Sequence, residues 1–371
     1  MDFTLSDDHL ALRDSARSVL DKEVDLQPLL KPVATVADAG YDRLWKQVVD
    51  LGWPGVVIPE TYGGLGLDYL DLVMIIGEMG RTLAPAPLVG TLAGVWAIEA
   101  AGSEDQKTEL LGAVAGGNLT LALAIADATG SYDAPGRDAR ATAADGGYRL
   151  SGSKSFVVDA AAADKIVVAA NLDGQRRFFV VDAKATGVRV QLVDWRDVTR
   201  QVATVHLDSA PATLLSGATE DVWPFVRDRL YLVLAAESAA GAAAVLADAV
   251  AYAKDRVAFG RPIGAFQAIK HQLAEIAGQV ECANVGVQYA AWALSEGDPR
   301  ASLAAAMAQS YASEAYRDAT HRNIQVFGAI GFTWEMKNHL FYKRARCNAE
   351  LLGSPARLRE QVMRFLEREA A

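Results

Sequence analysis

The sequence predicts an α+β fold in which a middle antiparallel β domain lies between two helical domains. Three observations predict it. The first hundred or so residues repeat their apolar positions at helical spacing. Short strand-like runs separated by turns follow, without intervening helices. The remainder is rich in alanine, the strongest helix former.

Residues 1–118 read as the N-terminal helical domain. Leu10, Leu12, Val19 and Leu20 lie near one helical face, and Ser6 before Asp7 and Asp8 makes a first cap followed by an acidic first turn. The segment PETYGGLGL, Pro59 to Leu67, cannot continue a helix through its glycines and proline. Helical periodicity resumes from Tyr69 to Arg81.

Residues 119–218 read as the middle β domain. LTLALAIA, from Leu119, is strand-like, and Asp145-Gly146-Gly147 separates ARATAA from YRLSGSKSFVV as a hairpin turn does. Further strands are expected at Lys165–Ala170, Phe178–Val181, Val188–Val193 and Ala203–Leu207. Strands that succeed one another without crossover helices favour an antiparallel barrel or sandwich over a parallel nucleotide-binding sheet.

Residues 219–371 read as a C-terminal helical bundle. Long helices are expected from Val222 to Lys254 and from Phe266 to Ser295, with two or three more before Ala371.

Composition limits function. The 371 residues are 51% hydrophobic and 22% charged, ordinary for a globular chain large enough for two or three domains. A net charge of −10 with no basic cluster argues against a nucleic-acid partner. The two cysteines, Cys282 and Cys347, lack metal or disulfide spacing and read as packing residues, and no metal site is expected. The acidic N-terminal segment and the lack of a long charge-free apolar run point to a cytoplasmic protein with no membrane partner.

Three stretches together resemble the acyl-CoA dehydrogenase superfamily. PETYGGLGL followed by LDLVMIIGEMGR is similar to that family's N-terminal domain. DRVAFGRPIGAFQAIKHQLAE, from Asp255, resembles its FAD-binding helix junction, and IQVFGAIGF, from Ile324, resembles its second FAD loop. The resemblance covers nearly the whole chain and implies an acyl-CoA dehydrogenase-like fold, FAD as cofactor, an acyl-CoA substrate and electron-transferring flavoprotein as electron acceptor. It further implies that Arg256 reaches the FAD pyrophosphate, a role suited to a permanently charged guanidinium. Phe259 and Phe266 would flank the adenine, Gln267 would hydrogen-bond, and Gly328 with Gln325 would allow a close backbone approach. Such groups serve a flavin held mainly by a neighbouring subunit.

The usual catalytic carboxylate is missing. Its position before a glycine near the C-terminus falls on Leu352, beside Gly353, and the alternative position on the helix that opens the last domain falls on Leu230. Leucine accepts no proton. Two acids remain nearby. Glu350 sits in a charged helix with Lys343, Arg344 and Arg346 and reads as a surface ion-pair partner. Glu237, in LVLAAESAAG, has apolar neighbours on both sides, the setting in which a carboxylate serves as a general base, and is the candidate catalytic residue. It also fits a structural carboxylate bonded between helices, about 10 Å along the helix from Leu230.

The flavin-ring positions are altered as well. In KSFVVDA, Phe156 stands where the family often has Trp and Val158 where it has Thr, so an aromatic is kept and a hydroxyl lost. The loop before it keeps Gly130, Ser131 and Asp133. Groups that reach toward a partner's FAD are thus retained, while those that hold the ring and run the chemistry are weakened. This division resembles the supporting subunit of heteromeric actinobacterial acyl-CoA dehydrogenases of steroid degradation. A homomeric dehydrogenase using Glu237 or another base, and a non-enzymatic scaffold member of the family, are the competing expectations.

Overall fold

The computed structural model describes residues 5–132, 139–144, 146–217 and 222–370. Five helices come first: α1 (Asp7–Glu23), α2 (Tyr41–Asp50), α3 (Tyr69–Thr82), α4 (Leu88–Ala101) and α5 (Glu104–Ala115). Ser6 caps α1 by accepting from the His9 amide at 3.2 Å, with Asp7 and Asp8 in the first turn and Lys22 in the last. PETYGGLGL forms a 3-10 turn over Glu60–Tyr62 and an irregular loop.

Seven strands follow: β1 (Leu121–Ala124), β2 (Arg140–Ala144), β3 (Gly147–Val158), β4 (Lys165–Leu172), β5 (Gln175–Asp182), β6 (Val188–Leu192) and β7 (Val202–Leu214). Their order β1-β4-β2-β3-β7-β5 returns on itself through β4–β5 pairing, which closes a barrel, and β6 adds to β7. Closure leaves few open edges. The β2–β3, β3–β7, β4–β5, β5–β7 and β6–β7 pairs are antiparallel. The purely antiparallel expectation needs correction: β1 and β2 both run parallel to β4. Long returns of the chain place these strands side by side in one direction, which local periodicity does not encode. The barrel has its own core, with Val157, Ile166, Val168, Phe179 and Val205 among its members.

The last part holds α6 (Val222–Asp255), a two-stranded hairpin of β8 (Val257–Ala258) and β9 (Arg261–Pro262), then α7 (Gln267–Ser295), α8 (Ala301–Phe327), α9 (Asn338–Glu350) and α10 (Pro355–Ala370). Helix α6 is long and apolar enough to cross a membrane by length and composition, yet 72% of that apolar window is buried inside the protein, as befits a core helix. Gly80 of α3 lets α6 approach closely, since a Cβ there would lie 2.6 Å from the Cα of Glu237. Cys282 is exposed on α7, contrary to the packing role expected of it, and Cys347 on α9 is half-buried.

Candidate functional site

Two surfaces and one buried cluster hold the residues in question. The first surface forms where α6 ends, the β8–β9 hairpin turns, α7 begins and α8 ends. Ala249, Ala253 and Val326 pack there with Tyr252, Ile263 and Ile269, and Tyr252 stacks on Phe327 with ring centroids 4.1 Å apart. This small core fixes the relative positions of Arg256, Phe259, Phe266, Gln267, Gln325 and Gly328. Arg256, Gln267 and Gln325 are exposed. Phe259 sits at the hairpin tip, 93% exposed, with φ 53°, and meets Phe266 edge-on at 6.2 Å. The Arg261 guanidinium covers the Phe266 ring at 4.2 Å.

Gly328 has φ 70° and ψ −147°, a region open in practice only to glycine. A Cβ on it would meet nothing of this chain within 4 Å. The glycine therefore keeps a backbone edge open beside Gln325. A cation, two amides, the exposed Phe259 ring and an open backbone edge fit a nucleotide diphosphate presented from outside the chain.

The second surface is an apolar cavity of about 40 Å³ between the barrel and the helices, with Tyr132, Phe156, Val158, Trp223, Leu230 and Leu352 among its walls. The structure thus brings both leucines at the expected base positions to one cavity. No carboxylate is among its described lining residues. Tyr132 stacks on Trp223 at 6.2 Å with an interplanar angle of 13°, and burial raises the Tyr132 phenol pKa.

Phe156 and Leu352 carry strained positive φ values of 51° and 67°. The Phe156 ring leans on Trp195 at 5.9 Å and would lie 2.6 Å from a Cβ on Gly130. The Ser131 amide donates to Asp127 Oδ1 at 2.9 Å, and Thr129 donates to the same oxygen through its amide and hydroxyl. Asp133 falls outside the described residues.

Glu237 lies in neither surface. It is 4% exposed and both its oxygens accept from Arg200 Nη2 at 2.6 Å. Arg344 Nη1 donates to Oε1 at 3.2 Å and Asn348 Nδ2 to Oε2 at 3.4 Å. The candidate base is corrected accordingly: its carboxylate is a buried counter-ion clamped between two guanidinium groups, and is absent from the cavity walls. Glu350 is exposed on α9, and no ion pair holds it among the described residues.

The cluster extends beyond Glu237. Arg344 Nε donates to Asp197 Oδ2 at 2.5 Å and its Nη2 to the Thr199 carbonyl at 3.1 Å. Arg200 also reaches Asn348 Oδ1 at 3.0 Å. Asp159, at the end of β3, accepts from the Gly90 amide at 3.1 Å. Burial pushes its pKa up to about 7 against the pull of Arg200 and Arg344. The cluster joins the β6–β7 loop, β3, α4, α6 and α9, and so fixes the barrel against the helices. Sequence reasoning missed Arg200, Arg344 and Asp159. Arg344, read as a surface cation, is 2% exposed.

His9, Asp68 and Asp71 bring one ligand atom each within 4.8 Å of the others. These groups cap helices: Asp68 accepts from the Leu70 and Asp71 amides, and His9 accepts from the Ser6 amide.

The acyl-CoA dehydrogenase N-terminal domain family matches residues 6–118 and its C-terminal domain family matches residues 224–367. Acyl-CoA dehydrogenase IpdE2 of Mycobacterium tuberculosis is 33% identical over 365 residues, covering 96% of this chain and 96% of the relative. Among solved structures, the ChsE4-ChsE5 complex from Mycobacterium tuberculosis aligns with a TM-score of 0.88 at 25% identity over 99% of both chains. Butyryl-CoA dehydrogenase from Megasphaera elsdenii aligns with a TM-score of 0.90 at 26% identity, over 99% of this chain and 100% of the other.

Proposed function

The chain belongs to the acyl-CoA dehydrogenase family, and from that premise we propose that it is the supporting subunit of a heteromeric, FAD-dependent acyl-CoA dehydrogenase. One observation carries this reading: Leu230 and Leu352 line the same apolar cavity, and no acid is among its described lining residues. The likeness to ChsE4-ChsE5, solved as a complex of two chains, supports a two-chain assembly.

FAD, when bound, supplies a hydride acceptor for α,β-desaturation of an acyl-CoA thioester. Arg256 offsets the charge of the diphosphate, and its exposure suits a cofactor held mostly by the neighbour. Phe259 and Phe266 offer apolar faces beside the adenine, and Gln267 and Gln325 offer hydrogen bonds. Holding Phe259 at positive φ costs of order 1–3 kcal/mol, strain of the kind that collects at ligand contacts. On the ring side, the Val158 side chain donates no hydrogen bond, and Tyr132 stacks on Trp223 in the wall of the cavity. The α-proton is then taken by a base of the second chain. Electron-transferring flavoprotein is the proposed electron acceptor of the assembly.

The reading is tested by purifying this chain alone and together with the product of an adjacent dehydrogenase gene, then measuring FAD per subunit by absorbance. The chain alone should hold little FAD and oxidise no acyl-CoA, and the assembly should do both. Full FAD content and turnover by the chain alone would overturn the proposal. Arg256→Ala should weaken FAD retention by the assembly roughly ten- to a hundredfold while leaving it folded. This loss corresponds to about 1.5–3 kcal/mol for a charge-assisted contact. Unchanged flavin content in that variant, read by ultrafiltration and absorbance, would remove Arg256 from the site.

A further inference from the structure

Arg196 and Lys343 are brought close together from two separate elements. Arg196 lies in the β6–β7 loop between Trp195, whose ring leans on Phe156, and Asp197, which is buried and accepts from Arg344 Nε at 2.5 Å. Lys343 precedes Arg344 on α9, so the Asp197–Arg344 ion pair fixes the loop cation beside the helix cation. Burial lowers the Lys343 pKa, Asp197 opposes the change, and Arg196 adds to it. Among the described residues neither cation has an ion pair, and the exposed acids Asp194 and Glu335, close in sequence, bond to neither. Like charges held this close repel, and an anion from outside the chain offsets that cost.

His339 stands one turn before Lys343 on the same face of α9. It is 5% exposed, and neither ring nitrogen has a hydrogen-bond partner among the described residues. A buried donor and acceptor left in this way are costly. Burial, with Lys343, lowers its pKa to about 4. The Trp334 ring meets the imidazole edge-on at 4.7 Å, and the Lys343 ammonium lies 4.6 Å from the centre of that same ring. Helix α9 starts without a side-chain cap or an acid in its first turn, so its amide end also favours negative charge. The segment leading into it exposes Phe332 and Trp334 to 64% and 42%.

We infer that this face docks the second chain of the assembly, which presents an acidic side chain to Arg196 and Lys343 and a hydrogen-bonding group to His339. The inference rests on the supporting-subunit reading and adds the chemistry of the partner. A small anion would offset the two cations but leave Phe332 and Trp334 in water, whereas a protein surface covers rings and charges together. Aromatic anchors beside desolvated polar groups are what the energetic centre of a protein interface contains. Phe332 and Trp334 follow Gln325 and Gly328 in the chain within ten residues, so this face continues the edge that, on the same reading, approaches the neighbour's flavin.

Sedimentation measures the Kd between the full chain and the product of the adjacent dehydrogenase gene at several salt concentrations. The double variant Arg196→Glu/Lys343→Glu should weaken association at least tenfold and flatten its salt dependence, and Arg196→Lys/Lys343→Arg should stay within about threefold of the unaltered chain. His339→Leu separates docking from a structural role. It removes an unpaired polar group, so the urea midpoint of the free chain should hold or rise while association weakens several-fold. An imidazole needed only for folding would lower the midpoint instead, and that result counts against the inference. Circular dichroism checks that each variant folds. Unchanged affinity in the folded charge-reversal variant, or in folded His339→Leu, would overturn the inference while FAD content of the assembly still upholds the supporting-subunit reading. Failure of the unaltered chains to associate at all would overturn both.

Discussion

Glu237→Ala is expected to destabilise the chain by about 3–5 kcal/mol, a large part of the stability of an ordinary domain. The substitution leaves Arg200 and Arg344, 8% and 2% exposed, without the carboxylate that both address. Asp197 still faces Arg344, but among the described residues no other acid bonds Arg200. Removing one partner of a buried ion pair costs more than the pair ever contributes, because the remaining charge keeps its desolvation penalty. Urea unfolding of the purified chain measures the effect, and a loss under 1 kcal/mol would mean that water or rearranged neighbours already neutralise the arginines. Glu237→Gln keeps the shape and some hydrogen bonds, so its loss should be smaller. In a folded assembly Glu237→Gln should leave acyl-CoA oxidation within a few-fold of wild type. A required general base would cost at least about a hundredfold, so a loss of that size would return Glu237 to the catalytic role.

The sequence is informative where a short window decides the outcome. Alanine content and apolar spacing mark α6 to within a residue of its end, and the strand run Phe178–Val181 lies inside β5, where all four residues are buried. Pairing is different. β1 lies parallel to β4 across the whole hairpin of β2 and β3, so its neighbour depends on distant chain that a local window does not contain.

The site divides in the same way. Leu230 and Leu352 are legible as base positions only through resemblance, and their meeting in one cavity with Tyr132 and Trp223 required the fold. The burial of Glu237 follows from its apolar flanks, but its partners lie 37 and 107 residues away. Arg344 carried a weak signal. It shares the buried helical face of Phe341, Ala345 and Asn348, whereas Arg346, two residues on, is exposed. Reading α9 by phase instead of by charge run separates these two arginines. The positive φ of Phe259 had no such signal, since a non-glycine residue gives no local reason to adopt it.

Asp159→Asn is expected to stabilise the protein by up to about 4 kcal/mol at pH 8 and by almost nothing at pH 4. Burial is the main cause of the raised Asp159 pKa, and Glu237 adds to it. Arg200, Arg344 and the Gly90 amide act in the opposite direction, and Tyr41 is the other titratable group held against Asp159. With a pKa of about 7 in the folded chain and an ordinary carboxylate value in the unfolded one, the folded state binds the extra proton between about pH 4 and pH 7. The stability this proton supplies is complete at the acid end of that window and is lost as the pH rises through 7. The difference between the folded and unfolded values corresponds to about 4 kcal/mol. Asparagine has no proton to lose, and its carbonyl oxygen can still accept from the Gly90 amide. The difference in unfolding free energy between variant and wild type should therefore grow from near zero at pH 4 to its full value by pH 8. Urea titrations at five pH values across this range measure it. A variant no more stable than wild type at pH 8 would mean that Asp159 is ionised at little cost in the folded chain, balanced by the two arginines.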